Sequence, residues 1–563
     1  MSDAPWWKST VIYQVYPRSF ADSDGDGLGD LQGVIDHLDH LVDLGVGTIW
    51  LSPFFASPQE DYGYDISDYC DVAPEYGTLE TAQALIDAAH DRGLKVMFDL
   101  VINHTSDQHP WFARSRASRS NPKSDWYIWR DGRGRGGRRP PNNWRSAMEV
   151  KSAWQWSADR QQWYLATFLP FQPDLNLRNP EVKEAVFEAV RFWLRRGVDG
   201  FRLDIFGYVM KDPEFRDNPF GPVVDGSQTR IWQRTFTENT DDSIAFAKEL
   251  RAVVDEFADQ GGGDRVLLGE VFGTPETLRR YLGDGDGLQL VFLFDFLAYT
   301  YSAEFFRDRI AAYEREFPPP LQPTYVLENH DRSRLIDRVG GDEARARTLA
   351  VLLCTLRGVP TIYQGQEIAM ANTPMRLREA RDPIARSFFS WVPEAVVQRV
   401  PERLNRDEVR TPMQWNSEPN AGFTSPVAVA WLPVHPGYRD RNVAVQDGVE
   451  GSMLELYRLL LRIRSERPSL HRGSLRLRPV DPSNPEVLTY ERIDHLTGAG
   501  AGSPEVTMIT VNFASSAAWI EPGGRVELLV ATDPSVVVTG GRLHLPPCSA
   551  VVVAVMERTS TWP

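Results

Sequence analysis

The sequence predicts an α/β fold: a (β/α)8 TIM barrel with an inserted domain after strand 3 and a C-terminal antiparallel β-sandwich. Three observations carry that prediction. Short β-branched runs alternate with helix-period stretches through most of the 563 residues. Four of those runs end in acidic blocks, where the mouth of such a barrel would gather them. Beyond about residue 473 the chain loses its helical period and turns β-rich.

The eight expected strands are Val11–Phe20, Thr48–Pro53, Lys95–Val101, Gly200–Ile205, Val266–Val271, Gln289–Phe296, Thr324–Leu327 and Thr361–Gln364. One helix between them is explicit. Val182, Ala185, Val186, Ala189, Val190 and Trp193 recur at helical spacing, and Gly197 stops the helix before the next strand. These assignments place the catalytic barrel at 1–104 and 177–472 and an inserted domain at 105–176. A further insertion of about 371–437 follows strand 8, and the terminal β domain spans 473–563. The basic run Asp131-Gly-Arg-Gly-Arg-Gly-Gly-Arg-Arg-Pro140 in the inserted domain reads as a solvated loop. The helix expected at Met453–Arg464 leads into the β domain, where Val506–Val511 and Ala550–Val555 read as strands.

Composition narrows the class. Hydrophobic content of 42% and charged content of 25% fit a soluble globular chain. The net charge of −16 argues against a nucleic-acid or anionic-membrane partner, since either calls for a basic footprint. Cys70, Cys354 and Cys548 are too few and too scattered for a disulfide framework. The N-terminal residues carry no signal-peptide pattern, and no apolar run is long enough for a bilayer, so a cytoplasmic location is expected. The sequence is silent on oligomeric state.

The acidic blocks carry the chemistry. They are Asp99-Leu-Val-Ile-Asn-His104, Gly200-Phe-Arg-Leu-Asp204, Leu268-Gly-Glu270 and Glu328-Asn-His-Asp331. Retaining glycoside hydrolysis needs a nucleophilic carboxylate and a general acid/base about 5–5.5 Å apart. Asp204 and Glu270 fit those roles, and Asp331 supplies a third acid. Arg202 lies two residues before Asp204, so both point to one face, where the guanidinium is expected to keep the nucleophile ionised. The acid would have its pKa raised by a neighbouring ionised carboxylate. His104 and His330 are placed to donate to sugar hydroxyls.

Together these blocks resemble the signature regions of the α-amylase superfamily, glycoside hydrolase family 13. Further matches are Gly47-Thr-Ile-Trp-Leu-Ser-Pro53, Gly358-Val-Pro-Thr-Ile-Tyr-Gln-Gly365 and Gln172-Pro-Asp-Leu-Asn176, the last resembling the oligo-1,6-glucosidase and α-glucosidase branch. The resemblance implies that Asp204 is the nucleophile, Glu270 the acid/base and Asp331 the transition-state stabiliser. It places His104, Arg202 and His330 around the non-reducing glucose, with Asp99 in support. Asp61-Tyr-Gly-Tyr-Asp65 and Arg406-Asp-Glu-Val-Arg-Thr-Pro-Met-Gln-Trp415 resemble the branch motifs that close the pocket for exo-action. In that resemblance Asp61 pairs with Arg406 or Arg410, and Tyr64 stacks beneath the sugar ring. Ile205 follows the nucleophile where the branch uses Val with α-1,6 preference and Ala or Thr with α-1,4, so both linkages stay open.

One loop has metal-binding chemistry. Asp22-Ser-Asp-Gly-Asp-Gly-Leu-Gly-Asp30 puts carboxylates at positions 1, 3, 5 and 9 and Gly27 at position 6, which suits Ca²⁺ or Mg²⁺. The twelfth position, Gly33, lacks the glutamate of an EF-hand. The family resemblance implies one structural cation held by Asp22, Asp24, Asp26, Asp30 and the Leu28 carbonyl. The expected function is a retaining exo-α-glucosidase acting on short α-glucosides, with a transglucosylase or isomerase of the trehalose synthase or sucrose isomerase type as the alternative. A non-catalytic sugar-binding or transporter-associated homologue is the remote reading, and the paired acids argue against it.

Overall fold

The computed structural model describes residues 5–149, 151–225, 228–258, 263–389, 405–495 and 504–558. Eight parallel strands close into a barrel in sequential order. They are β1 (Ile12–Val15), β2 (Thr48–Leu51), β3 (Lys95–Leu100) and β4 (Gly200–Leu203), then β5 (Val266–Gly269), β6 (Leu290–Leu293), β7 (Thr324–Val326) and β8 (Val359–Tyr363). The register closes with β1 on β8, Ile12 opposite Thr361, and on β2, Ile12 opposite Thr48. All eight expected runs are strands. Most expected bounds overrun the C-terminal ends of the strands.

Two apolar layers hold the barrel. Ile12, Trp50, Met97, Leu268, Leu290, Phe292 and Val326 pack inside it. The other faces of the strands meet the surrounding helices, so both faces are buried and the strands read as mainly apolar runs. The helix Pro180–Arg195 shows the outer packing. Asn179 caps it by accepting from the Glu181 amide, and Val182, Val186, Ala189, Val190 and Trp193 form its buried stripe. Trp193 stacks on Phe55 with centroids 5.1 Å apart and planes within 5°. Glycine at the start of β4 has a steric reason: a Cβ on Gly200 would sit 2.3 Å from the Val266 carbonyl oxygen.

The chain after β3 carries a three-stranded antiparallel sheet of Trp129–Arg130, Gln162–Leu165 and Trp154–Ser157. Ile128, Trp144, Ala153, Trp154 and Leu165 form its own small core. The basic 131–140 run is mostly exposed, as a solvated loop should be. The C-terminal part has a five-stranded and a three-stranded antiparallel sheet. Val487, Met508, Leu543, Leu545, Val551 and Val553 meet between them, which makes a sandwich. Arg492 ties this part to the barrel, donating to the Thr355 carbonyl at 2.8 Å. The three cysteines are free thiols. Among the described residues no helix is long and apolar enough to cross a membrane. Within the expected insertion after β8, residues 390–404 lie outside the described residues.

Candidate active site

The barrel brings the four acidic blocks to one mouth. Asp99 on β3 and Arg202 on β4 are register partners, so a carboxylate and a guanidinium stand side by side in the ladder. Asp204 follows the last residue of β4 and Glu270 the last residue of β5. Arg202, 2% exposed, is shared by all three acids. Its Nη1 donates to Asp99 at 3.0 and 3.1 Å and to Asp204 Oδ1 at 2.7 Å, while Nη2 donates to Glu270 Oε2. The guanidinium carbon sits over the Trp50 ring, 5.0 Å from its centroid, and the indole N–H donates to Asp99 at 3.2 Å.

One guanidinium cannot neutralise three carboxylates. Burial, followed by Glu270 and Asp99, pushes the Asp204 carboxyl well above its ordinary range despite Arg202. Burial likewise raises Asp99 to about 6, with Arg202 opposing and Glu270 adding to the push. Arg202 acts on Asp204 in the direction expected from the sequence, and burial with the two neighbouring acids opposes it.

Directly after Asp204, Ile205 adopts φ 40° and ψ 41°. A β-branched side chain in the left-handed region costs about 1–3 kcal/mol. The turn aims the Ile205 amide at Glu270 Oε2, 3.1 Å away, and the Phe206 amide at the Glu270 carbonyl, 2.8 Å away. Local strain thus locks the chain that carries one acid onto the other.

A cavity of about 440 Å³ opens at this mouth. Asp204, Glu270, Asp331, Asp61, Tyr64, His104 and Arg406 line it, whereas Arg202, His330 and Arg410 stand behind its wall. Of the two candidate arginines, Arg406 is the one on Asp61, with Nη2 donating at 2.9 Å. Arg410 instead donates to Asp331 at 2.6 Å and to the His330 carbonyl at 3.0 Å. Despite the upward push of burial, His330, Arg410 and Arg406 hold the Asp331 carboxyl well below the usual carboxylate range.

The two histidines brace Tyr64. Gln14 donates to His330 Nδ1 at 2.7 Å, which leaves the proton on Nε2, facing the Tyr64 hydroxyl at 2.7 Å. His104 contacts the Tyr64 carbonyl through Nε2 at 3.0 Å and Asn103 through Nδ1 at 3.1 Å. Both imidazoles are neutral: burial pulls His330 down to about 3 and His104 to about 4.

Two polar partners escaped sequence reasoning. Gln172 donates to Asp61 at 3.0 Å, and the motif that contains it was the only signal available. Asp382 receives Arg406 Nε at 3.1 Å and Nη2 at 2.8 Å, and sits alone in a segment with no period. Phe272 and Phe294, at the ends of β5 and β6, add an aromatic wall. Phe272 is two residues beyond Glu270, a spacing that could have flagged it.

In the acidic loop, Asp22, Asp24 and Asp30 each bring a carboxylate oxygen within 4.8 Å of the others. Gly27, at φ +98°, closes the turn where a Cβ would strike the Val429 carbonyl, and its amide donates to Asp22 at 2.7 Å. This all-oxygen set fits a hard divalent cation. Asp26, which accepts from the Leu28 amide at 2.7 Å, does not bring an oxygen into this group of three.

A model of the alpha-amylase catalytic domain matches residues 14–473. The chain belongs to the alpha-amylase family. It is a glycoside hydrolase, and its substrate is a sugar. A probable alpha-glucosidase of Rhizobium meliloti (strain 1021) is 43% identical over 493 residues, 84% of this chain and 85% of its own. An oligo-1,6-glucosidase of Parageobacillus thermoglucosidasius is 36% identical over 86% of this chain and 88% of its own. Among solved structures, the alpha-glucosyl transfer enzyme XgtA superposes with TM-score 0.87 at 37% identity, over 98% of this chain and all of its own. The trehalulose synthase MutB from Pseudomonas mesoacidophila MX-45 gives TM-score 0.83 at 34% identity, over 98% of this chain and 99% of its own.

The Asp331 environment predicts a pH signature. A carboxyl depressed in the fold stabilises above its unfolded value of about 3.9, and that stabilisation is lost as pH falls further. Asp331→Asn is expected to cost about 1–3 kcal/mol at pH 7, since Arg410 loses a charged partner. Urea unfolding at pH 7 and pH 3 checks this: the gap between wild type and variant should narrow at the lower pH. An unchanged gap would mean that the arginines do not hold the carboxylate ionised.

Proposed function

We propose that the protein is a retaining, exo-acting α-glucosidase that releases terminal α-linked glucose from short oligosaccharides or α-glucosides. The observation that carries this reading is the Asp61–Arg406 pair closing the cavity beside Asp204 and Glu270. A closed end accepts one terminal sugar unit and excludes polymer interiors. In this reading Asp61 and Arg406 grip the outer hydroxyls of the glucose, Tyr64 lies against its ring and ionised Asp331 takes the hydroxyls nearest the reacting carbon.

The reaction proceeds by double displacement. Asp204 attacks the anomeric carbon as Glu270 gives its proton to the leaving oxygen, and a β-glucosyl–Asp204 ester forms. Arg202 and the Ile205 amide both donate to Glu270 Oε2, so the transferable proton sits on Oε1. The developing positive charge on the sugar favours ionised Asp204, and the acid role requires that Glu270 carry the proton it transfers. Glu270 then takes a proton from water, whose oxygen displaces Asp204 and leaves α-glucose.

A second reading is favoured by the structural likeness to XgtA and MutB. If a sugar hydroxyl replaces water in the second step, the same intermediate yields a transglucosylase or isomerase. A proton NMR time course with maltose, isomaltose, sucrose and trehalose separates the readings. The proposal expects α-glucose as the first-formed anomer, and first-formed β-glucose would overturn retention. New disaccharides with little free glucose would select the transfer reading. Asp204→Ala should lower turnover about 10⁴-fold without loss of fold.

We further propose that the Asp22–Asp30 loop holds one structural Ca²⁺ or Mg²⁺ through Asp22, Asp24 and Asp30. The Leu28 carbonyl remains a candidate ligand. A cation at about a hundred times its dissociation constant would add about 2.7 kcal/mol of stability. Chelation is therefore expected to lower the melting temperature, and Asp22→Ala to remove the chelator's effect. Immediate loss of turnover in a protein that stays folded would contradict a structural role.

A further inference from the structure

A second cavity, of about 370 Å³, shares no lining residue with the one at the barrel mouth. Its volume falls in the range of small-molecule sites, about 300–1,000 Å³. Three segments form it: the short strand Asp68–Val72 after β2, the start of the helix Pro110–Ala117 after β3, and one face of the helix Pro180–Arg195. On that last helix Ala185 and Ala189 stand one turn apart, and side chains this small leave the space open.

Aromatic rings line the space and are fixed in place. Half-buried Trp111 packs on Trp126 with centroids 4.9 Å apart and planes 70° apart, and on the His109 ring at 4.4 Å. Buried Tyr69 shares its hydroxyl proton between the Val101 carbonyl at 2.9 Å and the His104 carbonyl at 3.2 Å. Phe192 and Pro110 complete the apolar lining.

The polar groups leave one buried donor without a partner. The Trp111 amide donates to His109 Nδ1 at 3.0 Å, so a neutral ring carries its proton on Nε2. Burial, helped by Lys123, pulls His109 down to about 3 and keeps it neutral. His109 is 4% exposed and lines the cavity, and among the described residues nothing accepts from Nε2. Acceptors face it from the strand. Asp68 accepts from the Cys70 amide at 2.9 Å and has no cation paired with it among the described residues. The Ser67 hydroxyl can donate or accept. The helix side is balanced, because Glu188 pairs with Arg191 at 2.8 Å and with Arg195 at 3.4 Å. Burial pushes the Cys70 thiol up to about 11, so it adds no charge.

We propose that this cavity is a second sugar-binding site, which takes a neutral pyranose ring away from the catalytic acids. A pyranose presents a face of C–H groups to Trp111 or Phe192, while its hydroxyls donate to Asp68 and accept from His109 Nε2. Other ligand classes fit less well. An anion would meet the Asp68 carboxylate, and an organic cation would meet the His109 N–H. An apolar molecule would leave that buried N–H unsatisfied. The proposal does not depend on the glucosidase reading, since the two cavities have no residue in common.

Hydrogen-exchange mass spectrometry of the full chain with glucose tests this, because it reports each cavity by its own peptides. A ligand of this size should bind with a dissociation constant on the order of 1–10 mM. At about 100 mM glucose, exchange in the peptides spanning 66–72 and 106–113 is expected to slow about 3–10-fold. Mannitol, an open-chain polyol at the same concentration, should not slow it. Trp111→Ala removes the stacking surface and should abolish the effect in those peptides. Asp68→Ala, at an exposed position that spares the core, should weaken it about 3-fold or more and is the second variant. Slowing confined to the peptides of the barrel mouth, or none at all, overturns the second site. So does equal slowing by mannitol, or slowing that neither variant reduces. None of these outcomes touches the glucosidase reading, which the anomer released in the NMR time course decides.

Discussion

Arg202 is the constraint on which the rest of the site depends. Three carboxylates converge on one buried guanidinium, and each contact comes from a different barrel position: Asp99 from β3, Asp204 from the end of β4, Glu270 from the end of β5. Such a cluster has no stability rationale of its own, because desolvating several ions costs more than one guanidinium returns. Removing Arg202 would leave the acids buried without their partner, at a cost of about 3–5 kcal/mol. What the arrangement provides is chemical. It keeps two acids facing each other across one guanidinium, with Asp204 pushed above its ordinary range.

The closed end of the cavity repeats the arrangement with the signs in a different balance. Arg406 contacts Asp61, Asp382 and Asp331, and Arg410 adds a second cation to Asp331. Two guanidiniums against three carboxylates leave Asp331 firmly ionised, whereas one against three leaves Asp204 pushed upward. The same residue types thus give one carboxyl held below its ordinary range and one pushed above it. Backbone strain contributes as well, since the left-handed Ile205 directs two successive amides at Glu270.

The barrel was legible because its strands are buried on both faces and are therefore mainly apolar, as Ile49–Leu51 and Leu290–Leu293 show. The acids at strand ends were legible for the same reason: polar residues break such runs at fixed places. Asp382 and Gln172 were not legible as site residues, because each acts through a partner far along the chain and neither belongs to a periodic element. The choice between Arg406 and Arg410 also needed three dimensions. Both lie in one motif four residues apart, and only the folded loop shows that Arg406 reaches Asp61 while Arg410 turns toward Asp331. Charge state was the least legible property of all, since it depends on how many carboxylates share one arginine.

The most direct test of the account is to trap the covalent intermediate and locate it. Glu270→Gln lacks the acid that a natural leaving group needs, but fluoride needs none, so α-glucosyl fluoride should still glucosylate the nucleophile. Without the Glu270 base the ester should persist long enough for peptide mapping by mass spectrometry. One glucosyl group on the peptide containing Asp204, absent from the Asp204→Ala, Glu270→Gln double variant, is the predicted result. A glucosyl group on Asp331 or elsewhere, or continued release of glucose with no labelled peptide, would contradict the roles assigned to the Arg202 cluster.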